Sequence, residues 1–539
     1  MSKHHLTPLT AALALMGFFA VTNVSAADVD SCMMCHKAET QNHQSAAHKD
    51  IACASCHTGL EAHQKDMKAR PGTSMDPALC GTCHVEQYKS AFKISDRPAR
   101  QSKKAANGPA PDPFFDRALG GHGFTKEHDL PRSHTWMAID QFIVDRAFGG
   151  RFEPKEGWLY TTLEGGQSYK VWDVLKDNYP EHNQQKAHRP GTAAAANGVC
   201  WSCKSTDLML DWAFMGDKVE GAKFHRGSNP VDVVRNVEHG MNCNFCHDPH
   251  NAKPRLMRDA LIEAMERDDK FNVYKNAANP AKLDVKTVGT RGFERKLAYM
   301  DKADSRLMCA QCHVEYICNP GVNVKTGEKV GFDSRFTNIF PWVNADNIEA
   351  WYEEAGFRDF THNVTGAKLV KMQHPDVETY FGSVHDKAGA DCASCHMPKV
   401  KGEDGKVYTN HWATSPKHYV KETCLSCHTD KTEKQMVSAI DAMKGHFDGK
   451  VREAEARMND MFNAFELAIA TGVDEKTLDE ARKLHAVAHI NWEYWTAANG
   501  AYFHNHDMAV KSLAKSAKAA SDAAALLRKA MAAKKVAKK

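Results

Sequence analysis

The sequence predicts a mainly α-helical protein with few short strands, a core filled by prosthetic groups, and long helices at its C-terminus. Three observations carry that expectation. Sixteen of the 17 cysteines fall into eight C-x-x-C pairs, seven of them followed directly by histidine. The segments joining the early pairs carry little apolar periodicity, so they cannot build an aliphatic core of their own. Beyond His428, apolar residues recur at three- and four-residue steps, the signature of packed helices.

The pairs are Cys32/Cys35, Cys53/Cys56, Cys80/Cys83, Cys200/Cys203, Cys243/Cys246, Cys309/Cys312, Cys392/Cys395 and Cys424/Cys427. C-x-x-C-H supplies two thiols for thioether bonds to a haem and the next residue as iron ligand. Multiplying out the composition gives about 0.03 matches by chance, so the repetition is specific. A disulfide framework needs no histidine after each pair, and a zinc site joins two pairs with no fixed residue following. The expectation is a multihaem cytochrome c with eight covalently attached haem c groups. Its proximal ligands are His36, His57, His84, His247, His313, His396, His428 and, at the one broken repeat, Lys204.

The formal net charge of +3 on 539 residues gives no reason to expect a nucleic-acid partner. The basic run Lys534 to Lys539 reads as a solvated helix end. Residues 1–26 read as a signal peptide: Lys3, His4 and His5 precede an apolar run from Leu6 to Ala20, and Val24-Ser25-Ala26 offers a small-x-small cleavage site. That run is too short for a comfortable membrane span and no later stretch is long enough, so a periplasmic protein without an integral membrane segment is expected.

Residues 27–115 form an expected N-terminal trihaem domain, in which His43, His48 and His63 are candidates for the second axial ligand. The segment Gln101 to Pro113 is rich in Lys, Ala, Pro and Gly and reads as a linker. Residues 116–430 form the expected pentahaem catalytic domain, with His122, His134, His385 and His411 as further distal candidates. Residues 431–539 are the long-helix region. Val437, Ile440, Met443, Phe447 and Val451, then Met458, Met461, Phe462, Phe465 and Ile469, mark its first helix. Gly472 ends that helix, Asp474 caps the next and Asp507 a last one. His489 and His504 on these helices are also distal candidates, and the surplus of apolar faces suggests subunit contacts.

Lys204 sets the chemistry. To ligate iron its amine must be neutral, so the metal has to displace a proton that free lysine holds at pH 7. An iron with this ligand and no distal histidine keeps an open position for substrate, and the other seven haems become its wire.

C-x-x-C-K in these surroundings resembles the cytochrome c nitrite reductases, which take nitrite to ammonia. From Cys200 onward the order of one C-x-x-C-K and four C-x-x-C-H is similar to the five-haem form. Gln311-Cys312-His313-Val314-Glu315-Tyr316, Lys371-Met372-Gln373-His374-Pro375 and Cys395-His396-Met397-Pro398-Lys399 extend the likeness. With three further N-terminal motifs the chain resembles most the octahaem members.

The resemblance implies a distal pocket of Arg132, Tyr316 and His374. A guanidinium suits an anion, and His or Tyr can deliver protons. Ser133 stands where many pentahaem relatives have glycine. The resemblance also implies a calcium held by the Glu315 and Gln373 side chains and the Tyr316 and Lys371 carbonyls, a thioether between Tyr316 and Cys318, a homo-hexamer, and an external electron donor, either a redox protein or a quinol-linked cytochrome. Nitrite is the expected substrate, with hydroxylamine and sulfite as related small N- or S-oxo species. A non-catalytic electron-transfer cytochrome and a hydroxylamine-oxidising octahaem enzyme are the alternatives. Lys204 argues against both.

Overall fold

The computed structural model describes residues 27–92, 134, 202–228, 239–267, 269–290, 292–317, 322–324, 326–330 and 339–537. The expected signal peptide, the linker, Cys200, His122, Arg132, Ser133 and Cys318 lie outside the described residues.

The chain divides into two compact units, Met1–Ser74 with Pro249–Ala252, and Met75–Asp248 with Lys253–Lys539. The third haem motif, expected to group with the first two, therefore belongs to the larger unit. In the smaller unit, short helices Ala27–Met33, Lys37–Gln44 and Leu60–Lys65 flank a two-residue antiparallel ladder that pairs His57 with Thr73 and Thr58 with Gly72. Gly72 lies close to its partner strand there: a Cβ would come 2.5 Å from Thr58 Oγ1, so that hydroxyl would have to turn away. Among the described residues, no buried hydrophobic side chain precedes Phe92. Chain of this kind cannot offset its ordering entropy by aliphatic burial alone, as the spacing of its motifs predicts.

The larger unit contains helices and a three-stranded antiparallel sheet, Arg255–Leu256 beside Phe293–Met300 beside Leu283–Thr290. The two long strands are a hairpin in register from Leu283 opposite Met300 to Thr290 opposite Phe293. Its inner face joins Trp212, Phe340, Trp342 and Tyr316 in one core.

The second core is helical. A helix of 38 residues, Glu433–Ala470, opens with a capping box between Thr432 and Gln435. Gly472 follows its end at φ +69, and Asp474 caps Glu475–Ala497 through the Thr477 amide. The last helix, His506–Ala537, begins before Asp507, which lies in its first turn and so favours the positive helix end by charge, not as the cap. The apolar stripe faces inward from Ile440 to Phe465, but Ile469 is exposed, since the helix ends within a turn.

Tyr316 belongs to the first core and Ile317 to the second; likewise Val377 packs in the first, Val370 and Met372 in the second. The strands of chain around residues 316 and 372 thus run along the seam, where both cores fix them. Phe462, fully buried and 5.1 Å from the His362 ring, should cost about 3–5 kcal/mol when replaced by alanine. Leu467→Ala, at a position 59% exposed, should change stability by less than about 0.5 kcal/mol in the same thermal unfolding measurement.

Candidate haem sites and catalytic pocket

Five of the described haem motifs close one helical turn. His36, His84, His247, His313 and His428 donate their amides to the carbonyl of the first cysteine, four residues back, at 2.8–3.0 Å. That turn brings two thiols and the ring to one side. The described cysteines form no disulfide, and among the described residues no group of three or more His, Cys, Asp and Glu side chains is gathered to hold a metal ion. Thiols of different motifs do meet in pairs: Cys80 with Cys243, Cys203 with Cys312, and Cys309 with Cys392. Each pair joins two separate motifs, so these attachment segments lie side by side in the fold.

The attachment thiols differ in cover: among the described cysteines three are exposed, one is buried and the rest are half-buried. Cys35, Cys83 and Cys427 are exposed and Cys56 is only partly buried, whereas Cys203 is buried. The physical reason is local. Each of the four is the second cysteine of its motif. Cys35, Cys56 and Cys83 belong to the early segments, which carry few apolar side chains to cover a sulfur. Cys427 precedes an exposed polar run from His428 to Glu433 that leads into the first long helix.

The histidines pair in a way that fits haem. A metal–nitrogen bond of about 2 Å on each side, plus the reach from nitrogen to ring centre, sets trans imidazole centroids roughly 6 Å apart. The centroid separations are 6.0 Å for His36 and His63, 6.2 Å for His57 and His250, and 6.5 Å for His247 and His411. They are 5.9 Å for His313 and His134, 6.3 Å for His396 and His504, and 6.4 Å for His428 and His385. Several of these rings are anchored by Nδ1, which turns Nε2 toward the partner ring. His63 meets the Ala69 carbonyl at 2.8 Å, His411 that of Thr409 at 2.8 Å, and His396 that of Thr414 at 2.9 Å. His57 meets Thr73 Oγ1 at 3.1 Å and His313 meets Asp376 Oδ2 at 2.7 Å. Such outer bonds fix tautomer and ring orientation in metal-ligating histidines.

Among the distal candidates, His63, His134, His385, His411 and His504 are each brought to a motif histidine. His250 joins them, although the sequence reading passed over it. Its signal was its place three residues after His247, inside Asp248-Pro249-His250. His48 holds the Pro249 carbonyl at 3.0 Å, and His43 is buried with Nδ1 unbonded. His489 is a correction. Its Nε2 contacts Glu493 Oε2 at 2.8 Å and the Val370 carbonyl at 3.1 Å, and its ring packs among Phe360, His485 and Trp492. Its i, i+4 spacing to Glu493 on one helix explains that role better than a haem does.

Around Lys204 the pocket residues converge. Tyr316 and His374 rings lie 5.4 Å apart, and His374 lies 6.1 Å from His313. The His374 pKa is pushed down to about 3, first by burial and then by the charges of His313 and Lys204, with Asp376 opposing. His134 falls to about 4, again by burial first, with His313 and Lys204 adding to it. Lys204, His134, His313 and His374 therefore share one electrostatic neighbourhood. His313 sits deep in the protein yet keeps 40% of its side-chain surface open, which fits a ring that faces a flat prosthetic group.

The residues expected to hold calcium lie beside this pocket. Fully buried Glu315 accepts the Gln373 amide at 2.7 Å and the Tyr352 hydroxyl at 3.2 Å. The Lys371 amide donates to Asp359 at 2.7 Å and its ammonium pairs with Glu493 at 3.0 Å. Burial pushes the Glu315 carboxyl well above its usual range; Asp359 and Glu493 add to this and Lys371 opposes it. The Gln373 side-chain amide and Glu378 Oε2 are buried without a partner. Crowded carboxylates, oxygen donors and orphaned polar atoms fit a hard cation.

Known proteins give the context for this geometry. The cytochrome c552 family pattern matches residues 157–539. Cytochrome c-552 of Haemophilus influenzae is 28% identical over 411 residues, 73% of this chain and 63% of that protein, so the chain spans under two thirds of that relative's length. The cytochrome c nitrite reductase subunit NrfA of Nitratidesulfovibrio vulgaris is 27% identical over 372 residues, covering 65% of this chain and 62% of that one. In fold, the chain is similar to the catalytic subunit of cytochrome c nitrite reductase from Desulfovibrio desulfuricans, a structure with two calcium sites, at TM-score 0.57 and 22% identity over 85% of this chain and 86% of that one. The match over residues 157–539 takes in the Lys204 motif, the four motifs after it and the long helices, and by it the chain belongs to the cytochrome c552 family.

Proposed function

We propose that the chain is a periplasmic, ammonia-forming nitrite reductase, with the haem of Cys200 and Cys203 as its catalytic centre and Lys204 as that haem's proximal ligand. The observation that carries this reading is the convergence of Tyr316 and His374, 5.4 Å apart, on the neighbourhood of Lys204. A buried pair of proton-bearing rings suits a reaction that takes up eight protons and six electrons per nitrite.

When bound, the catalytic haem supplies the open iron position and the electrons. The chain's own residues do the rest. Arg132, by resemblance, holds the anion. His374, neutral at working pH because of its burial, offers a ring N–H where oxygen departs as water; an arriving anion raises its pKa and helps it take up the next proton. Tyr316 is the second donor, and a thioether to Cys318 would lower its phenol pKa and hold its ring. Asp376 keeps His313 in one tautomer beside the pocket. Glu315 and Gln373, with the Tyr316 and Lys371 carbonyls, hold calcium, which ties Tyr316 and the residues before His374 to one rigid point.

The finer assignments rest on the same footing. Eight motifs give eight haems, and the six ring pairs at 5.9–6.5 Å support low-spin carriers around one catalytic iron. Residues 1–26 direct export, and among the described residues no helix is long and apolar enough to cross a membrane. Residues 116–430 with the helices of 431–539 are the catalytic part, a hexamer is the assembly, and hydroxylamine and sulfite are further substrates of the same iron.

Anaerobic assay with a reduced viologen should show nitrite consumed, ammonium formed and one high-spin haem among eight; all-low-spin haem with no nitrite loss would refute the reading. Lys204→His should keep the haem attached and lower turnover at least about tenfold. In His250→Ala the haem of His57 should change from low-spin to high-spin, read by its visible and resonance spectra. Stripping calcium with a chelator should reduce turnover about tenfold, with recovery on adding the ion back, and Glu315→Gln should abolish that recovery.

A further inference from the structure

Arg258 stands between two haem-attachment loops. It is fully buried, as are Ser202 and Gln311. Its guanidinium Nη1 donates to Ser202 Oγ, inside the Lys-ended motif. Its backbone N–H donates to Gln311 Oε1 at 3.2 Å, inside Cys309-Ala310-Gln311-Cys312-His313, and the Met257 N–H reaches the same oxygen at 2.7 Å. The two loops also meet through the thiols of Cys203 and Cys312. On its other side the guanidinium lies 5.4 Å from the centre of the Phe340 ring, which is 6.1 Å from Tyr316. One side chain thus touches the loop of the catalytic haem, its backbone touches the loop of the adjoining haem, and its flat face touches the wall behind a pocket residue.

A guanidinium is suited to this place. Its planar fork loses little freedom when its bonds are fixed, and it stays charged at every accessible pH. A fixed positive charge in a low-dielectric interior acts strongly on nearby centres. Ferrous iron carries one positive charge fewer than ferric, so such a charge favours the reduced state of the iron it lies nearest.

We propose that Arg258 is a positioning residue for the reaction: it clamps the Lys204 loop against the His313 loop through Ser202 and Gln311, and its charge biases the catalytic iron toward the ferrous state. This rests on the reading that the Lys204 motif carries the catalytic haem. The clamp keeps the catalytic haem in register with the haem that feeds it, and the charge makes the last electron transfer downhill.

The test uses the mature holoprotein and the variants Arg258→Gln, Arg258→Lys and Ser202→Ala. Haem content is counted by mass, and the high-spin haem is followed by its spectrum during a redox titration. Arg258→Gln should lower the ferrous-to-ferric ratio of the high-spin haem about tenfold at a fixed poise, which is about 59 mV for a one-electron couple. Arg258→Lys should restore most of that ratio because it restores the charge. Ser202→Ala, which releases the guanidinium without removing it, should lower the ratio about threefold. A ratio in Arg258→Gln equal to the wild-type value, or a Lys variant no better than Gln, overturns the proposal. Should Arg258→Gln fail to mature, Ser202→Ala decides alone, and an unchanged ratio there overturns it. A wild-type count of seven haems would instead refute the Lys204 reading and take this proposal with it.

Discussion

The 2.7 Å contact between Asp376 and His313 is the point on which the rest of the centre depends. Asp376 is buried, and it also accepts the Asn499 amide at 2.5 Å and its side-chain amide at 3.1 Å. One carboxylate therefore joins the motif histidine His313 to the turn after the second long helix, and it stands two residues from His374. Burial resists ionisation of Asp376, yet the bond to His313 holds its pKa below the ordinary value. The same bond raises His313 against its own burial. The two groups hold each other in place, and that mutual dependence orders the pocket wall.

Rigidity of this kind would serve the proposed reaction, in which one substrate molecule is held through many transfers. The seam between the two cores supplies it from both sides. Glu315 receives its hydrogen bonds from Gln373 and from Tyr352 of the helical core, while Tyr316 beside it packs with the hairpin core. Displacing either core would move the pocket wall.

Much of this was legible in the sequence because haem attachment demands fixed spacing along the chain. Eight thiol pairs and seven following histidines needed no fold to be recognised, and the apolar stripe of the C-terminal helices gave their existence and inward face. Spacing does not report enclosure, however: Cys35, Cys83 and Cys427 share their motif with buried Cys203 and are exposed, because cover comes from whatever chain packs alongside. Spacing along a helix does not name a partner: His489 sits on a buried face, where its Nε2 meets Glu493 one turn on and its Nδ1 is left unbonded. His250 stood close to a motif in the Asp248-Pro249-His250 run, but the ring it faces is that of His57, and only the return of the chain in space reveals it. Arg258 was invisible for the same reason, since its partners Ser202 and Gln311 come from two separate motifs. The position of the third motif depends on contacts such as the Asn242 side-chain amide with the Met75 carbonyl at 3.2 Å, which no local pattern announces.

The inclusion of Pro249–Ala252 in the smaller unit has a consequence for how the protein is made. His250, which faces His57, is synthesised three haem motifs later. If His250 is the second ligand of the haem on the second motif, as its place beside His57 suggests, that haem would have to wait for it until that downstream stretch has been delivered and folded back. Loop closure over such a length costs little more than over a short one, so the wait is set by delivery of the chain and not by the free energy of closing it. A fragment ending at Ser74 would lack His250 altogether, so the order in which the polypeptide is made would govern when that haem gains its full ligand set.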